Sequence, residues 1–160
     1  MEHAFTKVFN QKLMIVSKDE SIIAVCFETT PEFGNYSKHS NLNNESQILN
    51  DTKIQLEEYL IGTRTSFDIN SYLIGTKFQK RVWKQVNKIP YGQKLSYKDI
   101  AKKISRPKSY RAVANAVGKN PIAIMIPCHR VIRSNGNLGG YSGGIDIKKL
   151  LLQKEKISWI

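Results

Sequence analysis

In the string "IPCHRV" (126–131) a cysteine is followed at once by a histidine and an arginine, three side chains able to do chemistry at adjacent positions. A thiol is a nucleophile only as its thiolate, and nearby cations lower its pKa. His129 and Arg130 are the local candidates for that work. The apolar run "IAIMIPC" (122–128) reads as a buried strand ending at proline, which would hold Cys128 rigidly at its exit. Neighbours on a strand face opposite ways, so His129 needs a bend or a bridging water to reach the sulfur. On these local grounds an inert buried cysteine and a nucleophile both stand.

Other chemistries lack residues. The chain has two cysteines, Cys26 and Cys128, and three histidines, with no C-x-x-C or H-x-x-x-H spacing for a metal. No histidine follows His129, so the distant base of a cysteine hydrolase is missing. "GGYSGG" (139–144) has no Gly-Lys-Ser/Thr after it and is no phosphate loop; its glycines suit a backbone that approaches a flat ligand or strand closely. Cys26 lies in the β-rich run "IIAVCFE" and is expected as a small buried residue. Two cysteines are too few for a disulfide scaffold, so a reducing, cytoplasmic (or nuclear) setting is expected. No apolar run approaches the ~18–20 residues that span a bilayer, and the N-terminus lacks a signal peptide's apolar centre.

The net charge of +12 is divided unevenly. Residues 1–74 hold 6 Lys and Arg against 10 Asp and Glu, whereas residues 75–160 hold 19 against 3. Such segregation points to a polyanion partner for the second half, nucleic acid before membrane, since no basic amphipathic helix with a lipid-seeking face stands out.

Several elements must position these residues. "LMIVS" (13–17) and "IIAVCFE" (22–28) predict a hairpin across Lys18–Ser21, and "NYSKHSNLNNES" (35–46) predicts a loop. A helix is expected from Gln47 to Leu60, ended by Gly62. In the basic half, Thr76 with Gln79 and Ser96 with Asp99 predict capping boxes that open two helices. "SRPKS" (105–109) makes a short turn, Ser109 is expected to cap a third helix, "YRAVANAVGK", and Gly118 to stop it. Two short helices joined by a tight turn suggest helix-turn-helix geometry. Arg111 falls in the first turn, where a cation is unfavourable by ~0.3–1 kcal/mol, so a phosphate or base edge accounts for it better than helix stability does.

Taken together, "NPIAIMIPCHRVI" (120–132), "EYLIGTRTSFDI" (58–69), "GTKFQKRVWKQVNKIPYGQKLSYKDIA" (75–101), "RAVANA" (111–116), "GYSGG" (140–144) and "KKLLLQKE" (148–155) resemble, in order, the O6-alkylguanine-DNA alkyltransferases. The resemblance covers about residues 54–155. It implies an α+β fold: a small ribonuclease-H-like α/β domain over 1–74, then a winged-helix domain for DNA binding and catalysis over 75–160. It implies irreversible, single-turnover transfer of a methyl or larger alkyl group from O6-alkylguanine in double-stranded DNA to Cys128, by a monomer without cofactor. A non-enzymatic alkyltransferase-like lesion binder is the alternative, which the presence of Cys128 disfavours. A winged-helix regulator with an incidental cysteine is a further rival.

By the same resemblance, Glu155 orients His129, which takes the thiol proton through a water, and Tyr97 donates a hydrogen bond to the departing base. Asn120 stabilises the turn near the strand. Tyr141, Ser142 and the Val131 carbonyl hold the base. Arg111 fills the gap left by the extruded nucleotide, with Ser109, Tyr110, Ala112, Asn115 and Arg130 along the DNA. This chain departs from its relatives at Tyr110, Asn115 and Arg106, where they have smaller residues. Asp68 stands where some relatives have a histidine that binds structural zinc, so no metal is expected.

Overall fold

The apolar runs at 13–17 and 22–28 do form a hairpin, β2 (Gln11–Lys18) with β3 (Ser21–Phe27), paired antiparallel. Asp19 and Glu20 make the turn with φ of 49° and 54°, the left-handed conformation that a tight hairpin needs. The structure, a computed structural model, describes residues 1–160, which divide into two compact units.

The first unit takes in residues 1–73 and 121–123. Its sheet has the order β3-β2-β1-β4, with β1 (Glu2–Val8) antiparallel to β2 and parallel to the short β4 (Asn41–Leu42). Alternation along the strands gives the sheet two buried faces. Met14, Val16, Ala24 and Cys26 pack with Phe33 and Tyr36 of α1 (Pro31–His39). The helix α2 (Gln47–Ile61) packs on β1, β2 and β3, and buries Leu49, Thr52, Leu56 and Tyr59. Gly62, at φ 91°, closes it as expected. Cys26 is buried, and burial pushes its thiol up to about 12.

Two expectations fail here. The polar stretch 35–46 is a loop only over 43–46, because α1 runs to His39 and β4 follows. Pro31 at the first helical position, with Phe33 and Tyr36 three apart, was the signal for it. The run 122–128 is not a continuous strand either. Ile122 bridges Val25, and Ala123 N donates to Val25 O at 2.9 Å, but Ile124 then adopts φ 70° and the chain turns away.

The second unit comprises residues 74–120 and 124–160. Both capping boxes form, at Thr76/Gln79 for α3 (Lys77–Val86) and Ser96/Asp99 for α4 (Tyr97–Lys103). A 3-10 turn, Pro107–Ser109, leads into α5 (Tyr110–Gly118). Ser109 makes no side-chain cap, contrary to expectation: at φ −92° and ψ 22° it already belongs to that turn. Val82, Trp83 and Val86 of α3 are buried, as are Ile100 and Ala101 of α4 and Val113, Ala116 and Val117 of α5. Trp83 Nε1 donates to Ala116 O at 2.7 Å, which satisfies the buried indole. The unit ends in α6 (Ile145–Lys154). No helix is long and apolar enough to cross a membrane.

Candidate active site

A short parallel ladder organises the site. β5 (Leu95–Ser96) pairs with β6 (Val131–Ile132), Leu95 opposite Val131 and Ser96 opposite Ile132. Ser96 is also the cap of α4, so Tyr97, the first helical residue, is held next to the chain that leaves Cys128. Cys128 opens a 3-10 turn, Cys128–Arg130, instead of ending a strand. That turn supplies the bend an extended chain would lack, and it sends His129 and Arg130 into the interior.

Cys128 is buried, with Sγ accepting a hydrogen bond from Asn120 Nδ2 at 3.1 Å. The same amide donates to Ile126 O at 2.8 Å, so one asparagine fixes both the sulfur and the backbone before it. Burial pushes the thiol up, against the Asn120 hydrogen bond and the Lys148 charge, which pull it down. Cys128 therefore rests as a thiol, with two groups in place to favour its anion.

His129 is fully buried, and its Nε2 stands 2.8 Å from Glu155 Oε1. Burial holds the imidazole below its ordinary pKa against the pull of Glu155, so it is neutral at rest. Its Nε2–H then donates to the carboxylate, a tautomer that makes Nδ1 the basic nitrogen. Glu155 caps the end of α6 and is 2% exposed. It also receives Arg130 Nε at 2.8 Å, Arg130 Nη2 at 3.0 Å and the Gly92 amide at 3.2 Å. A buried carboxylate this fully satisfied is a fixed counter-charge for the histidine.

Arg130 corrects the expectation that placed it along the DNA. It is 5% exposed, holds Glu155 bidentately and donates to Ile89 O at 2.6 Å, which leaves its guanidinium no role on the surface.

Lys148 was not foreseen. Fully buried, its Nζ donates to Val131 O at 2.7 Å, Leu138 O at 2.6 Å and Gly140 O at 3.3 Å. Burial brings its pKa down to about 8, opposed by Cys128. It ties the glycine loop to the strand after Cys128 and places a cation near the sulfur. The expected base acceptor, Val131 O, already takes a hydrogen bond from Lys148, and a carbonyl has capacity for one more. In the sequence Lys148 looks like one basic residue among many, and only the carbonyls that converge on it mark it out.

A cavity of about 340 Å³ adjoins the sulfur, lined by Cys128, Tyr97, Tyr141, Ser142 and Arg133 among others. The expected residues Tyr97, Tyr141 and Ser142 are thus brought to Cys128. Burial keeps the Tyr97 phenol protonated, with Cys128 adding to that and Arg133 opposing it. Gly139, at φ 72°, passes so close that a Cβ there would lie 2.7 Å from the Tyr97 hydroxyl; here close approach of the backbone does require glycine.

A second cavity, of about 510 Å³, is bounded by Tyr97, Lys98, Tyr110, Arg111, Arg133 and Asn135. Tyr110, Arg111, Ala112 and Asn115 are exposed on α5, and Ser109 is half-buried just before it. The guanidinium carbon of Arg111 lies 5.9 Å from the Tyr110 ring centre, and Lys98 Nζ 5.7 Å from it. Arg133 lines both cavities and was likewise missed, since sequence adjacency favoured Arg130. No three His, Cys, Asp or Glu side chains converge as metal ligands.

Residues 77–157 match the family model for the 6-O-methylguanine DNA methyltransferase DNA-binding domain. The chain is similar to a methylated-DNA–protein-cysteine methyltransferase of Methanosarcina barkeri, 54% identical over 102 residues, which is 64% of this chain and 65% of the relative. It is also similar to the inducible methylated-DNA–protein-cysteine methyltransferase of Bacillus subtilis, 48% identical over 103 residues, or 64% and 58% of the two chains. These matches span less than two thirds of the relatives' length. Over nearly its whole length the fold is similar to Mycobacterium tuberculosis OGT crystallised in complex with DNA: TM-score 0.89, 37% identity, 98% of this chain and 93% of that one. With about half of its residues in the family model, the chain belongs to the 6-O-methylguanine DNA methyltransferase family.

Proposed function

We propose that this chain repairs double-stranded DNA by moving an alkyl group from O6 of guanine onto its own Cys128, once per molecule. The carrying observation is the convergence at one cavity of a buried, hydrogen-bonded thiol and two tyrosines, with His129 in the same turn as the thiol and paired to Glu155 at the end of α6. In this reading residues 1–74 are a ribonuclease-H-like domain and residues 75–160 a winged-helix domain, active as a monomer.

The alkylated base cannot meet a buried sulfur while stacked in a duplex, so it is extruded at a cost of a few kcal/mol. Arg111, exposed at the start of α5, fills the gap, with Ser109, Tyr110, Ala112 and Asn115 along the groove. The basic second half contributes phosphate contacts, which give affinity without sequence preference and make binding salt-sensitive. Tyr141, Ser142 and the Val131 carbonyl hold the flipped base.

His129 Nδ1 takes the Cys128 proton through a water, and Glu155 stabilises the imidazolium that forms. Lys148 and Asn120 stabilise the thiolate. Sγ attacks the alkyl carbon, the carbon–O6 bond breaks, and its electron pair leaves with the purine. Tyr97 donates a hydrogen bond to the departing base, which finishes with the proton the thiol gave up. The product thioether has no leaving group that water could displace, so the protein is consumed.

Incubation with a duplex containing O6-methylguanine tests this. The peptide bearing Cys128 gains one methyl, and Cys128→Ser gains none. DNA binding with unchanged protein mass would show a lesion-binding protein instead.

A further inference from the structure

The parallel ladder beside Cys128 ends on a pair of which the mechanism uses only one member. Leu95 lies opposite Val131 and Ser96 opposite Ile132, so the next residues on the two chains are Tyr97 and Arg133. Neighbouring strands run about 4.8 Å apart, and these two residues leave the ladder as neighbours. Both line the cavity that holds Cys128, and both line the second cavity next to it. The backbone of Arg133 is fixed: its N–H donates to Asn137 O at 2.8 Å, and its carbonyl accepts from the Gly136 amide at 3.0 Å. Gly136 O in turn accepts from the Ile160 amide at 3.0 Å, which pins this turn to the segment after α6.

The Arg133 guanidinium is uncommitted. The ion pairs of the chain join Glu58 with Arg64, and Glu155 with His129 and Arg130; none takes Arg133. Lys98 and Arg111 border the second cavity as well. Among these cations it is the charge of Arg133 that reaches the Tyr97 phenol, against the burial that keeps it protonated. Lys148 does the same for Cys128, whose thiol it pulls down. The two cations thus divide the charge of the reaction. Negative charge sits on Sγ at the start and on the purine at the end, with Lys148 acting at the first place and Arg133 at the second.

We propose that Arg133 is a positioning residue for departure of the base: its guanidinium polarises the Tyr97 O–H, and the hydrogen bond to the purine strengthens as charge arrives there. This rests on the alkyl-transfer reading above. The electron pair of the carbon–O6 bond moves onto the purine, and the Tyr97 proton stays on its own oxygen. The proton that the purine finally takes up is the one His129 received from the thiol. A cation beside a phenol makes its O–H a better donor, and a base that fills the cavity excludes water from the pair.

The test is single-turnover methyl transfer from an O6-methylguanine duplex, with the rate at saturating protein and the half-saturating concentration measured separately. Burst amplitude normalises each rate to active protein. The proteins are wild type, Arg133→Met, Arg133→Lys, Tyr97→Phe and the Tyr97→Phe/Arg133→Met double variant. Removing a donor aimed straight at developing charge costs ~10²–10³-fold. Arg133 acts one group further away and from an exposed position, so Arg133→Met lowers the saturating rate about tenfold, by this scale. Arg133→Lys recovers most of that loss, and in the Tyr97→Phe background Arg133→Met changes the rate less than about twofold, as coupled residues require. An unchanged saturating rate with a raised half-saturating concentration would make Arg133 a phosphate contact only and overturn the proposal. So would no recovery by lysine, or an equal loss with and without the Tyr97 hydroxyl. A wild type that transfers no methyl overturns the alkyl-transfer reading, and the role of Arg133 falls with it.

Discussion

Replacing Asn120 by leucine keeps the side chain's bulk and removes the amide hydrogens given to Ile126 O at 2.8 Å and Cys128 Sγ at 3.1 Å. The two losses act on different quantities. Ile126 O keeps the Cys128 amide at 2.7 Å as a donor, so the backbone loss costs ~0.5–1.5 kcal/mol of stability. The sulfur bond acts on acidity. A hydrogen bond to a charged acceptor contributes ~1.5–3 kcal/mol, and each pKa unit corresponds to ~1.4 kcal/mol. The Cys128 thiol, already pushed up by burial, therefore rises further, and the thiolate fraction below its pKa falls ~10–100-fold. The assay is the pH dependence of Cys128 alkylation by iodoacetamide, read from the mass of its peptide. Cys26, buried and pushed up to about 12, stays silent near neutral pH. The variant's inflection moves to higher pH, and transfer from O6-methylguanine slows by the same factor at fixed pH. A lowered melting temperature with an unmoved inflection would refute the reasoning and leave Asn120 as a backbone brace only.

Arg111→Ala slows repair of a duplex lesion far more than reaction with free O6-benzylguanine; equal losses on both substrates would contradict its place in the helix gap. Arg130→Met strips the buried Glu155 of its cation and costs ~3–5 kcal/mol, measured by urea unfolding; a loss below ~1 kcal/mol, the worth of a surface pair, would contradict the burial described. Lys148 is held at about 8 against 10.5 in the unfolded chain, so between these values the unfolded state binds the extra proton. Its contribution to stability grows as pH rises from about 8 toward 10.5 and is lost as pH falls through about 8, by ~3 kcal/mol in all. The stability difference between wild type and Lys148→Met should change with pH across that window, and a constant difference would contradict it.

What the sequence made legible was local. Thr76 with Gln79 and Ser96 with Asp99 are three apart, and each box closes within one turn of helix. Gly62 ends α2 in the left-handed conformation, where a Cβ would carry a penalty. Cys128 was legible as a candidate because reactive neighbours in sequence and the family motif coincide there. What stayed hidden depends on partners far along the chain. Arg130 looked like a surface cation until Glu155, 25 residues away, and Ile89, 41 residues away, claimed it. Lys148 is defined by the carbonyls of Val131, Leu138 and Gly140, which carry no signal in the sequence. The run 122–128 has strand composition throughout, yet the hydrogen bonds of Asn120 and the left-handed Ile124 fold its second half into a turn. Composition reported the burial of that run correctly and its backbone wrongly.

The central claim is direct, irreversible transfer to one sulfur. Titrating a known amount of protein with excess duplex carrying radiolabelled O6-methylguanine tests it most directly. The account predicts that protein-bound label stops at one methyl per chain, all of it on the Cys128 peptide, with guanine restored in the DNA. Lesion loss that continues beyond one per chain, or label on any other residue, would contradict it.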